Sequence, residues 1–141
     1  MSKCWIYLAL VVFGSVAASA AEVPAHSPQC VIHAAHIRGG LRLEGVVRGT
    51  PGASGSYRFV LDEVGSDGNS KVGQGGNFVV APFGESVVAE SELSFGRGTS
   101  YRANMVVTSA LGEATCSAMH AHRAGGDDRS AVVSAVRNRT G

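Results

Sequence analysis

The side chains of this 141-residue chain that could do chemistry are five histidines, a few carboxylates and three cysteines. His33 and His36 lie three apart, and His120 and His122 two apart, near the other end of the patterned region. On a strand, residues two apart share a face, so His120 and His122 form the pair that would bind zinc or copper, and weakly. His33 and His36 have opposite parity, and no third ligand can be named, so no metal site is expected. Asp62 and Glu63 are adjacent and face opposite sides of a strand, which makes them solvated charges and not an acid/base couple. Gly73-Gln74-Gly75-Gly76-Asn77 has the glycine content of a phosphate loop but no helix after it, and it reads as a bulge or bend. G-x-S-x-G, H-E-x-x-H and P-loop signatures do not occur in the sequence. The expectation is a protein that is not an enzyme and uses no cofactor.

Cysteine chemistry is structural on the same reading. Cys4 lies in an apolar leader, leaving Cys30 and Cys116 as a pair with a single connectivity. A redox role would call for a C-x-x-C-like setting, which is absent. In an oxidising compartment the pair reads as a disulfide. Met1-Ser2-Lys3, the apolar run Cys4 to Phe13 and the small residues ending Ala18-Ser19-Ala20 follow the order of a secretory signal, so residues 1–20 are expected to be cleaved. The apolar run is shorter than the roughly 20 residues a bilayer span needs, so no membrane anchor is expected. The chain is then expected to be exported, to an oxidising compartment or outside the cell.

The elements that must position these residues are strands. Leu41, Leu43, Gly45 and Val47 alternate with Arg42, Glu44, Val46 and Arg48. Tyr57, Phe59 and Leu61 alternate with Arg58, Val60 and Asp62, and Tyr101, Ala103, Met105 and Val107 with Arg102, Asn104, Val106 and Thr108. Such alternation marks half-buried strands. Cys30–Ile37, Val72–Val80, Val87–Phe95 and Ala114–Met119 are weaker candidates. Turn signals stand between them at Gly39-Gly40, Thr50-Pro51-Gly52, Ser66-Asp67-Gly68-Asn69, Pro82-Phe83-Gly84 and Gly96-Arg97-Gly98. About seven strands in roughly ninety residues predict an all-β, immunoglobulin-like antiparallel β-sandwich. The high glycine count is assigned largely to turns.

Parity makes further predictions. Cys30, Ile32 and Ala34 face inward on the first strand, and Ala114, Cys116 and Ala118 on the last, so the disulfide ties first strand to last. With no tryptophan in the patterned region, Tyr57 or Phe59 must fill the centre of the core. Tyr101 stands roughly where a tyrosine corner would, although the cysteine spacing differs. Residues 21–28 are a loose lead-in, 29–119 the sandwich and 120–141 a disordered tail.

Charge is balanced in total and segregated in place. Loss of Lys3 with the leader leaves as many basic as acidic residues, and no basic run interleaves with aromatics, so nucleic acid is excluded as a partner. Arg42, Arg48, Arg58 and Arg102 occupy outward positions, whereas Glu90 and Glu92 cluster on the fifth strand. Exposed charge of this kind blocks edge-to-edge aggregation. The sharper alternative is a basic surface that steers an acidic partner, with Arg58 and Arg102 sharing one sheet.

Gln29-Cys30, Leu41-Arg42-Leu43-Glu44-Gly45-Val46-Val47 and Gly55-Ser56-Tyr57-Arg58-Phe59 resemble the CsgH family of curli-assembly chaperones. Gln74-Gly75-Gly76-Asn77-Phe78, Tyr101-Arg102-Ala103 and Cys116 continue the resemblance in order, from about Pro28 to Met119. It implies an exported, monomeric, non-enzymatic sandwich that keeps a curlin-type amyloid subunit soluble before secretion. The related CsgC chaperones use a C-x-C motif that this sequence lacks. Arg58 and Arg102, with Arg42 or Arg48 contributing, are the expected client contacts. The alternative from another class is an exported structural or adhesive sandwich module without chaperone activity.

Overall fold

The computed structural model describes residues 25–94, 96 and 98–121. Seven strands follow one another: β1 Gln29–Ile37, β2 Gly40–Arg48, β3 Ser54–Gly65, β4 Gly68–Val79, β5 Glu85–Leu93, β6 Ser100–Ser109 and β7 Gly112–His120. All pair antiparallel, in a three-stranded sheet β1-β2-β5 and a four-stranded sheet β4-β3-β6-β7. Every strand expected from alternation is present. The architecture is the immunoglobulin-like sandwich.

Period two builds the core. Leu41, Leu43 and Val47 of one sheet meet Phe59, Leu61, Ala103, Met105 and Val107 of the other, all buried. Phe59 is fully buried and takes the central volume, whereas Tyr57 is only partly buried at the edge of the cluster. Cys30 and Cys116 are both buried and bonded to each other across 86 residues. Their bond joins β1 to β7, and so one sheet to the other.

Where the parity reading fails, neighbours explain it. Ala34, expected inward, is exposed with the residues around it, because β1 is an edge strand that no described residue buries past Ile32. Val46, expected outward, is buried apart from the core cluster, between its cross-strand partners Val31 and Val87. Gly73–Asn77 forms neither bulge nor bend, since β4 keeps an unbroken register against β3 from Gly68 to Val79. The irregularity lies instead between β2 and β5. Gly45 pairs with Ala89 and Val46 with Val87, which leaves Val88 as the extra residue.

Glycine also divides differently from expectation. Gly39, Gly52, Gly68, Gly84 and Gly98 have positive φ in the turns read from the sequence, but Gly45, Gly55, Gly73, Gly75 and Gly76 lie inside strands. A methyl group on Gly45 would come within 2.7 Å of the Met105 sulfur and 3.2 Å of the Ala89 methyl. One on Gly55 would run into the Thr108 carbonyl of β6 and come within 2.9 Å of the ring of Phe78, its partner across β3 and β4. These glycines make room for core side chains. The leader of residues 1–20 and the tail beyond residue 121 lie outside the described residues.

Candidate functional site

Each sheet turns one face outward, and the four arginines divide between them. On the β1-β2-β5 face, register places Arg48 opposite Glu85, Glu44 opposite Glu90 and Arg42 opposite Glu92. Arg42 donates to Glu92 Oε1 from Nε and Nη2 at 3.0 and 2.6 Å, with Glu90 at 3.6 Å. The Glu92 hydrogen bond, reinforced by the charge of Glu90, raises the Arg42 pKa further. Arg48 Nε donates to Glu85 Oε2 at 2.6 Å. The β5 bulge makes this possible. An odd-numbered Glu85 would oppose Glu90 and Glu92 in parity, but the extra residue Val88 turns it onto their face.

The β4-β3-β6-β7 face differs. Arg58 on β3 lies between Gly75 of β4 and Val106 of β6. Arg102 on β6 lies between Asp62 of β3 and Met119 of β7. Their registers put them on one face of adjacent strands, both exposed. Among the described residues neither has an acidic partner within ion-pair distance, since Arg58 has no acid opposite it and the Asp62 opposite Arg102 is paired with Lys71 at 3.2 Å. Exposed Val64 and Met119 border Arg102, and both help line a shallow depression beside Asp62, Tyr101 and His120. Two unneutralised guanidinium groups on a partly apolar sheet form a surface suited to carboxylates and to extended chain.

Among the described residues no group of three His, Cys, Asp or Glu side chains is placed to hold an ion. His33 and His36 are exposed on β1, while His120 is buried and its ring stacks on Tyr101 with centroids 6.3 Å apart. His122 lies outside the described residues. Burial raises the Tyr101 phenol above its ordinary range.

Gln74 is the residue that sequence reasoning missed. Paired with Phe59, it faces inward, and its side-chain amide reaches the edge of β5. Nε2 donates to the Glu90 carbonyl at 2.6 Å, and Oε1 accepts from the Glu90 N–H at 3.3 Å. The amide thereby occupies the backbone position that a further strand would take, closing the β5 edge there. The available signal was a lone polar residue at an inward position.

A family model described as "CsgH protein" matches residues 29–119. The chain belongs to the CsgH family. The solution structure of R. palustris CsgH is similar to it at 26% identity and a TM-score of 0.57, over 64% of this chain and 90% of that one. The E. coli curli protein CsgC shares the fold, with a TM-score of 0.54 at 13% identity over 64% of this chain and 97% of its own. Comparison with curated proteins returned no match. The matched span contains all of the described strands except the last residue of β7, with Cys30, Cys116 and all four of these arginines, so the CsgH assignment covers the sandwich of this curli-related family.

Proposed function

We propose that this CsgH-family protein is a periplasmic, monomeric chaperone that delays amyloid formation by a curlin-type subunit through transient contacts with early assemblies. Export by the leader and the absence of enzymatic chemistry belong to the same reading. A β-forming client exposes segments that nucleate cross-β structure, and intercepting a rare nucleus needs no stoichiometric complex. The observation that carries the reading is the asymmetry of the arginines. Arg58 and Arg102 are exposed without ion-pair partners among the described residues, whereas Arg42 and Arg48 are engaged by glutamates. Arg58 and Arg102 are therefore the primary client contacts. Arg42 and Arg48 contribute only where a client carboxylate displaces Glu92 or Glu85.

The test is a curlin fibrillation time course at substoichiometric chaperone. Arg58→Glu/Arg102→Glu should shorten the lag relative to wild type while the fold is retained, and added salt should weaken inhibition by the wild type, since exposed charges are screened beyond about 10 Å at 0.1 M. A double variant that delays fibrils as well as wild type refutes the basic face.

A further inference from the structure

We infer that the free edge of β4, from Lys71 to Asn77, accepts an extended, carboxylate-bearing segment of a β-forming partner as an added strand. This deepens the chaperone reading and rests on it for the nature of the partner, but its geometry stands separately.

The phase of the β3–β4 ladder shows which groups point outward. Val80 N donates to Ala53 O at 2.8 Å, so the backbone of Val80 points toward β3 just beyond the strands. Continuing that register, the bonded pairs are Gly55 with Phe78, Tyr57 with Gly76, Phe59 with Gln74 and Leu61 with Val72. The residues between them, Lys71, Gly73, Gly75 and Asn77, turn their N–H and C=O groups away from β3. Val79 obeys the same phase, its carbonyl accepting from Ser86 Oγ at 3.0 Å. Among the described residues no partner meets the outward groups of Lys71, Gly73 or Gly75. The contrast with β5 is direct, because there Gln74 bonds both backbone groups of Glu90.

Charge selects the occupant. The residues with outward backbone also carry the side chains of the outer face, so an added strand would extend the sheet that bears Arg58 and Lys71. A residue paired with Gly75 would lie two strand spacings, about 10 Å, from Arg58. Gly75 has no side chain to stand between them, and a methyl group on Gly73 would meet nothing within 4 Å. A carboxylate at that place is within joint reach of the guanidinium. A second copy pairing through its own β4 would instead bring Arg58 of both molecules onto one continuous face, where like charges oppose association.

The experiment is amide hydrogen exchange on the mature protein with a short blocked peptide alternating glutamate and valine. The Lys71, Gly73 and Gly75 amides should gain protection on peptide addition, whereas the Val72, Gln74 and Gly76 amides are already held by β3. Gly73→Pro removes an outward donor without touching the β3 ladder and should weaken peptide binding by about tenfold or more. A peptide N-methylated at alternate residues on its pairing edge should lose binding in the same way, with the protein unaltered. Equal binding of the N-methylated peptide, protection confined to other strands, or the same protection arising from self-association without peptide would each overturn the inference. If Arg58→Glu/Arg102→Glu abolishes inhibition of fibrils while these amides stay unprotected, the basic face stands and the edge falls.

Discussion

Arg42 and Arg48 on one outer face and Arg58 and Arg102 on the other look alike in sequence, each an arginine at the outward position of an alternating strand. Their surroundings set them apart. β5 brings Glu85, Glu90 and Glu92 against β2, so that face neutralises its arginines internally. β6 brings Val106 beside Arg58, β4 brings Gly75, and Lys71 takes the carboxylate opposite Arg102. One face is internally satisfied and the other is left available. Outward parity identifies a residue as a surface residue, but the neighbouring strand decides whether its charge can meet anything else.

The largest expected effect tests what holds the two faces back to back. Cys30→Ser/Cys116→Ser opens a link spanning 86 residues, and in the chain-entropy view the loss of stability is about 4–5 kcal/mol as an upper figure. Urea unfolding measures it. A loss below about 1 kcal/mol would show that core packing alone aligns the sheets.

A smaller effect separates the faces directly. Arg48→Ala breaks an exposed ion pair and should cost about 0.2–1 kcal/mol, a loss that shrinks as salt is added. Arg58→Ala has no such pair to lose among the described residues and should stay within about 0.5 kcal/mol of wild type. Equal, salt-sensitive losses at both positions would erase the distinction.

The smallest effect sits at the inner side of the same sheet, where buried Tyr101 stacks on His120. Its phenol is raised above 10.0 by burial, so the folded state holds the proton more tightly than the unfolded chain. That contribution is fully present below the unfolded value and is lost as pH rises through the folded one. Tyr101→Phe should flatten the alkaline fall in the urea midpoint. An unchanged alkaline limb would place the destabilisation elsewhere.

Much of the scaffold was legible because it depends on local rules. Leu41, Leu43, Phe59, Leu61, Ala103 and Met105 follow period two and are all buried, and turn glycines such as Gly39 and Gly84 mark real reversals. The glycines inside strands were not legible. Gly45 makes way for Met105 and Gly55 for Phe78, contacts between residues 60 and 23 positions apart whose need for space no local window contains. Gln74 escaped for the same reason, since its partner is the backbone of another sheet.

The sequence by itself determined the strands, most of their inward residues, the cysteine pair and the candidate arginines, because alternation and turn chemistry act over a few neighbouring residues. Tertiary structure alone decided which arginines are paired, which edge Gln74 closes and which edge is unpaired among the described residues. Those outcomes depend on strand register and on the single extra residue Val88, which turns Glu85 to the face where Arg48 waits. A one-residue shift reverses every side chain beyond it, and only the assembled sheets fix where that shift falls.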